Sequence, residues 1–318
     1  MELIPINHCY IAKGNSIVKI SCISLICIIF LWGTAMAQEN EKPTLSITEQ
    51  LAFSTVRIQV TTKEGSGTGT GFFFNFLDDG KQRIPAIVTN KHVVKGALRG
   101  TFLLTSANND GTPNLSSHIP VTLENFESRW IPHPNDNVDL TIMPIAPILT
   151  EASQKGFKPF LINIDKSLIP SDVQLQELTA VEDILMVGYP IGIWDQKNNY
   201  PIFRRGITAT HPANDYNGKQ EFMIDAACFP GSSGSPVFLF NVGNYVAKSG
   251  GTVIGSRFYF LGILYAGPQY TNKGEVIVVD IPTKKEAISI SNIPVNLGYV
   301  IKSKNLFDFD EILKKLVK

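Results

Sequence analysis

The chain is short of cysteine, of charge of either sign in excess, and of helical periodicity. It has four cysteines in 318 residues, and three of them (Cys9, Cys22 and Cys27) fall in the first 37. Beyond residue 37 only Cys228 is left, so no internal disulfide is available there, and a domain of this size needs none. No Cys/His pair has metal-ligand spacing, so neither a metal nor any other cofactor is expected. The 28 basic and 28 acidic residues cancel, so the charge excess that holds nucleic acid or an anionic membrane surface is missing. Apolar types make up 44% and charged types 18%; this is ordinary globular usage and excludes a disordered, collagenous or coiled-coil chain. No fixed-period repeat of solenoid or propeller type is present.

The first 37 residues stand apart. Lys13 and Lys19 precede an apolar run over 20–32, and small residues lead to Ala35-Met36-Ala37 before Gln38. This is the pattern of a cleaved secretory signal peptide, and it predicts an exported protein, periplasmic or secreted. The alternative is an uncleaved anchor: the uncharged stretch 20–37 has 18 residues, barely enough to span a bilayer. Only in that case is a membrane a partner. Cleavage removes Glu2, Lys13 and Lys19 and leaves 26 basic and 27 acidic residues, a net charge of −1.

Residues 38–47 read as a polar leader, with Ser46 or Thr48 capping a short helix that runs to Ala52. After that the chain reads as short strands rich in Val, Ile, Phe and Thr, bounded by Gly, Asn, Asp or Pro. They are expected at 56–61, 71–75, 84–89, 101–105, 119–125, 138–144, 184–188, 203–210, 221–224, 236–240, 258–266, 275–281 and 298–302. The class is all-β, of sandwich or barrel type. The mixed stretch 145–172 divides it, giving β-rich units over 48–150 and 173–304 and a connection over 151–172. At the end, Phe307, Ile312, Leu313 and Leu316 fall at helical spacing and predict a C-terminal helix within 305–318.

Gly231-Ser232-Ser233-Gly234-Ser235-Pro236 places a serine between glycines. Such a turn can aim successive N–H groups at one point, as a developing oxyanion requires, although a Gly/Ser/Pro cluster alone is commonly a plain turn. A serine nucleophile needs a base that works near neutral pH, and Thr89-Asn90-Lys91-His92-Val93-Val94 offers His92 after an apolar strand. The imidazole in turn needs an orienting carboxylate. Asp139 sits inside the apolar run Val138 to Met143, where a charge is costly unless paired; it could also be a strand-edge residue, and Asp136 lies in a polar turn three residues earlier. The chain order is His, Asp, Ser, with intervals of 47 and 94 residues that only tertiary folding can close. The glycine-rich run 65–71 fails the G-x-G-x-x-G phosphate pattern and leads into Phe72-Phe73-Phe74, which reads as a strand. His118, His133 and His211 sit in polar or Pro-flanked stretches and read as surface histidines.

On these residues the chain resembles the trypsin/chymotrypsin-like serine peptidases of the bacterial exported type. It is most similar to the glutamyl endopeptidases and the high-temperature-requirement proteases. The histidine stretch at 89–94, the serine stretch at 231–238 and its approach at 225–230 carry the likeness. So do the glycine-rich opening at 65–72, Gly188-Tyr189-Pro190, and Gly262 to Gly267. The resemblance implies two six-stranded-type antiparallel β-barrels with the site between them. It makes His92 the general base, Asp139 its orienter and Ser233 the nucleophile, with the N–H groups of Gly231 and Ser233 as the oxyanion hole. Thr89 would then bond near Asp139, or be an ordinary strand threonine. The substrate is a peptide or protein.

Some features depart from the family. Ser232 stands where animal members carry an aspartate, and Tyr265 where they commonly carry a serine against the triad acid. By the same carry-over Ala227, Cys228, Leu264 and Gly267 line the pocket for the residue before the scissile bond (P1). With no ionisable partner among them for a charged P1 side chain, small to medium apolar P1 side chains are expected, unless Lys273 in the 269–274 loop reaches the rim. Cys228 reads as a small buried hydrophobe. Only 16 residues follow the last expected strand, so no peptide-binding PDZ domain is expected. Two other classes compete: an inactive double barrel used for binding, and an anchored structural β-protein.

Overall fold

The structure, a computed structural model, describes residues 44–80, 82–273 and 290–317. The N-terminal segment 1–37 and the strand expected at 275–281 lie outside the described residues. A short helix, α1 (Ile47–Ala52), opens the fold; Ser46 caps it in a reciprocal capping box with Glu49. The first β-unit contains β1 (Thr55–Thr62), β2 (Gly65–Phe76), β3 (Ile84–Thr89), β4 (Arg99–Ala107), β5 (Pro113–Glu124), β6 (Ile131–Pro132), β7 (Thr141–Pro144) and β8 (Pro159–Phe160). They form one eight-stranded sheet in the order β5-β4-β1-β2-β3-β7-β6, with β8 on β4. Every named ladder in it is antiparallel.

The second unit contains β9 (Asp183–Gly188), β10 (Ile202–Thr208), β11 (Glu221–Asp225), β12 (Pro236–Asn241), the hairpin β13 (Asn244–Val246) and β14 (Thr252–Ile254), β15 (Arg257–Ala266), the pair β16 (Gln269–Lys273) and β17 (Ile290–Pro294), and β18 (Leu297–Lys302). Six of them close an antiparallel barrel in the order β10-β11-β18-β15-β12-β9. The chain ends in a helix at Phe309–Val317, after a 3-10 turn at Ser303–Asp308. The expected all-β class, a six-stranded antiparallel barrel and the terminal helix are therefore present, with two differences in the first unit. Its sheet gathers eight strands rather than six, because the two-residue strands β6 and β8 join it, β6 at its end and β8 beside β4. Within the expected 151–172 connection, β8 pairs back onto β4 rather than leaving the sheet.

Three apolar cores hold this arrangement. Val56, Ile58, Val60, Phe73 and Phe102 fill the first sheet's own interior, and Ile184, Phe222, Val237, Leu239 and Val300 fill the barrel. The third core joins the two: Phe72, Phe74, Phe76 and Ile142 from the first sheet pack with Val187, Phe238, Phe260 and Ile263 from the barrel. Strand alternation explains the split. On β2, Phe73 points one way and Phe72 and Phe74 the other, and all three are 3% exposed or less. A strand buried on both faces reads as the near-continuous apolar run seen here. Among the described residues no helix is long and apolar enough to cross a membrane.

Candidate active site

His92 sits on a single helical turn, Lys91–Val94, directly after β3. Val93 and Val94 are buried and belong to the first core, which fixes the turn and leaves His92 facing outward. Asp139 lies on the β6–β7 loop, two residues before β7, and not inside a strand as the apolar run 138–144 suggested. Fully buried Leu140 anchors the loop next to it. The two side chains meet: His92 Nδ1 lies 2.5 Å from Asp139 Oδ2, and the His92 backbone N–H donates to Asp139 Oδ1 at 3.1 Å. Both carboxylate oxygens are thus engaged by one residue, which sets the imidazole's orientation. Asn90 Nδ2 donates to the Asp139 carbonyl at 2.8 Å, tying the two loops together a second time. Thr89 does something else: its hydroxyl donates to the Thr70 carbonyl at 2.7 Å. Asp136 is exposed in the same loop.

Ser233 comes from the barrel side, on the loop before β12. It lines a cleft of about 430 Å³ together with His92, Gly231, Pro230 and the β1–β2 hairpin, and Asp139 pairs with His92 from outside that lining. The Ser233 hydroxyl donates to the Tyr265 carbonyl at 3.4 Å. The loop bends through two glycines with left-handed backbone, Gly231 (φ +86°) and Gly234 (φ +89°). At Gly234 an added Cβ would sit 1.9 Å from the Thr70 carbonyl, so only glycine lets the serine loop approach the first sheet this closely. In the loop, the N–H groups of Ser232, Gly234 and Ser235 donate to the carbonyls of Phe229, Leu264 and Ser232. Among the described residues, those of Gly231 and Ser233 have no acceptor, which leaves them as a donor pair in the cleft wall.

Beside Ser233 is a second cavity, of about 330 Å³, lined by Cys228, Phe229, Pro230, Leu264, Gly267 and neighbours. Three of the four expected pocket residues are here; Ala227 is not. It stands one residue before the lining, with its carbonyl accepting from the Arg204 guanidinium, which also stacks over the Phe229 ring with 4.9 Å to the centroid. Both residues lie in the loop after β11, which ends at Asp225; Cys228 is buried against the pocket, whereas Ala227 is only partly buried and stays out of its lining. Cys228 is buried and free, and burial pushes its thiol up to about 11, against a smaller opposing pull from Arg204. Gln269–Lys273, expected as a loop, is strand β16.

Some site features were not expected from the sequence. His133 is buried rather than on the surface: Nε2–H donates to the Asn305 carbonyl at 3.1 Å, and the ring edge meets Phe309. Burial lowers its pKa, opposed by the Asn305 hydrogen bond and by Asp308. The hydroxyl of Tyr265 turns to Glu221 Oε2 at 2.5 Å, and its pKa is raised, first by burial and then by Glu221. Thr70 gave no chemical signal inside a glycine-rich run, yet it contacts the serine loop twice. Its N–H donates to the Ser233 carbonyl at 2.9 Å and its hydroxyl to the Gly231 carbonyl at 3.0 Å. Among the described residues no group of His, Cys, Asp and Glu side chains could hold a metal ion.

No curated protein sequence matches the chain. The chain is similar to a solved HtrA-type protease, AlgW with a tripeptide, at 17% identity and a TM-score of 0.41, over 84% of this chain and 61% of that one. It is also similar to a serine endoprotease from Yersinia pestis, at 15% identity and 0.40, over 84% and 63%. A third is tobacco etch virus protease, catalytically inactive and complexed with substrate, at 14% and 0.42, over 84% of both chains. The chain thus spans about three-fifths of the length of the HtrA-type structures. The family model described as trypsin-like peptidase domain matches residues 69–247, more than half of the chain and the whole stretch from the first barrel's second strand past Ser233, and the chain belongs to that family.

Proposed function

We propose that the protein is an exported serine endopeptidase that cleaves peptide bonds through His92, Asp139 and Ser233. The observation that carries the reading is the paired His92–Asp139 side chains facing, across one cleft, a serine whose loop leaves two N–H groups free. Asp139 holds the proton on His92 Nδ1 and leaves the Nε2 lone pair as base. Rotation about χ1 carries Ser233 Oγ from the Tyr265 carbonyl towards that lone pair; such catalytic hydrogen bonds commonly tighten only when substrate is bound. Oγ then attacks the substrate carbonyl as its proton passes to Nε2. The oxyanion that forms takes hydrogen bonds from Gly231 and Ser233 N–H. His92 returns the proton to the leaving amine, an acyl group stays on Ser233, and water removes it by the same route in reverse.

The 330 Å³ cavity beside Ser233 receives the P1 side chain. Cys228, Leu264 and Gly267 give it an apolar wall, and Arg204 spends its guanidinium on the Ala227 carbonyl and the Phe229 ring. Small to medium apolar P1 residues therefore fit best, since an unpaired charge there would be desolvated without a partner. Export rests on the signal-like segment 1–37, and N-terminal sequencing of the recovered protein tests it: Gln38 as first residue supports cleavage, Met1 does not. The test of the activity is fluorophosphonate labelling with cleavage of a peptide library. Labelling of the parent protein and none of Ser233→Ala supports the mechanism; equal labelling of both, or of neither, refutes it.

A further inference from the structure

Four successive carbonyls of the serine loop are tied down. Pro230 O accepts from Ile191 N–H (2.6 Å), Gly231 O from the Thr70 hydroxyl (3.0 Å), Ser232 O from Ser235 N–H (3.0 Å) and Ser233 O from Thr70 N–H (2.9 Å). A trans peptide is planar, and its C=O and N–H point in opposite directions. Holding Pro230 O against the 189–192 turn therefore aims Gly231 N–H the other way, towards the cleft. Holding Ser232 O does the same for Ser233 N–H. These are the two N–H groups that lack an acceptor among the described residues.

The turn that holds Pro230 is strained. Ile191 has φ +51° although it is β-branched, and its side chain is 64% exposed, so no packing of that side chain enforces the conformation. A β-branched residue in the left-handed region is an outlier that persists only when its surroundings over-determine it, and such outliers cluster at functional sites. Here the surroundings are polar: Gly192 N–H reaches Tyr189 O at 3.0 Å, Ile193 N–H reaches Pro190 O at 2.8 Å, and Arg57 Nε donates to Gly192 O at 3.0 Å.

Thr70 joins the turn to the loop. It is fully buried, and its one hydroxyl donates to Gly231 O while accepting from Tyr189 N–H at 3.0 Å. A hydroxyl is the smallest group that can donate and accept at once. Its own carbonyl is fixed by Thr89. We propose that Thr70 is a positioning residue of the oxyanion hole, coupling the strained 189–192 turn to the peptides on either side of Gly231. The proposal rests on the serine-peptidase reading above. In it, Thr70 fixes the Gly231–Ser232 and Ser233–Gly234 peptides, which alternate with the two whose N–H groups face the cleft, and so keeps those two in place; Thr70 itself touches no substrate.

The test compares the purified protein with Thr70→Val, Thr70→Ser, Ile191→Pro and Ile191→Gly. Three quantities are read: kcat and KM on one apolar-P1 peptide, the affinity for a peptide boronate, whose tetrahedral adduct mimics the oxyanion, and the affinity for the product peptide, which does not. Thr70→Val is expected to lower kcat by on the order of 10- to 100-fold and boronate affinity in parallel, with KM and product affinity within about threefold. Thr70→Ser keeps the hydroxyl and should stay within about threefold of the parent. If Thr70→Val does not fold, the exposed turn decides: Ile191→Pro removes the N–H and, with φ locked at about −65°, cannot hold the +51° turn, so it should lose kcat by about tenfold or more, whereas Ile191→Gly keeps both and should retain kcat. A Thr70→Val or Ile191→Pro protein with parental kcat overturns the proposal, as does a loss shared equally by the product peptide. A parent protein that hydrolyses nothing and takes no fluorophosphonate instead refutes the serine-peptidase reading, so the two failures are distinct.

Discussion

The two β-units bring different things to the cleft, and bring them with different rigidity. The first sheet supplies His92 and Asp139 already joined, at 2.5 Å, by loops that also exchange a backbone bond and an Asn90 bond. The barrel supplies Ser233, the free N–H pair and the apolar cavity, on a loop that owes its shape to the first sheet as well as to its own strands. The proposed base and its orienter thus belong to one unit. The proposed nucleophile depends on the contact between two, and the shared aromatic core of Phe72, Phe74, Phe238 and Phe260 holds that contact together. The difference says where the site is fragile: it lies at the seam rather than in either unit.

The largest effect expected from breaking the comparison is chemical. Ser233→Ala from the barrel and His92→Ala from the first sheet should each lower kcat by on the order of 10⁴–10⁶, and the double variant by no more, because residues acting as a unit are not additive. Steady-state kinetics on a single peptide measures this, and a double variant that multiplies the two losses would mean that the units act separately. Next comes the seam itself. Phe74→Ala, in the shared core, and Leu239→Ala, inside the barrel, should each cost about 2–5 kcal/mol by denaturant titration. Only Phe74→Ala should also lower kcat of the folded protein; equal kcat values would show that the shared core does not align the site.

Specificity follows. Peptides with Val, Leu, Met or Phe at P1 should be cleaved about tenfold or more faster than those with Glu, Lys or Arg, since each buried CH₂ contributes about 0.8 kcal/mol and an unpaired charge loses its solvation. A library profile led by Glu would show that Arg204 reaches the pocket from behind Cys228. A smaller effect concerns that cysteine. With its thiol pushed up to about 11, alkylation by iodoacetamide should be slow at pH 8 and climb steeply only towards pH 11, and dithiothreitol should leave the melting temperature unchanged. Fast labelling at pH 8 would place a thiolate in the pocket.

The smallest expected effect is the pH response of His133, which pins the Asp139 loop to Asn305. Its folded pKa is lowered by burial, so the unfolded chain binds the proton more readily. The stability tied to the neutral ring is complete above the unfolded value of about 6.5 and fades as pH falls below it. A melting temperature that drops between pH 7 and pH 5, with a shallower drop in His133→Asn, would show this; parallel slopes would contradict it.

The candidate residues could be picked out because the proposed chemistry needs particular residue types in a particular order. Glycines flanking a serine, a histidine after an apolar strand, and an acid in an apolar run marked Ser233, His92 and Asp139 before any contact was known. Local pattern also marked the strands of the barrel and the capped first helix, since alternation, capping residues and turn residues act over a few positions. It could not mark Thr70, whose role is to meet Tyr189 and Gly231, 119 and 161 residues away. Nor could it show that Ala227 stays out of the pocket lining, because it lies in the loop after β11, whose path is set by contacts such as the Arg204 guanidinium on the Ala227 carbonyl. His133 reads as polar and local, and only the packing of the C-terminal turn buries it. The sequence by itself determined the candidate groups and that short antiparallel strands flank the segments carrying them. The tertiary structure alone decided how they are aimed, because aim depends on hydrogen bonds between segments that nothing in the local sequence brings together.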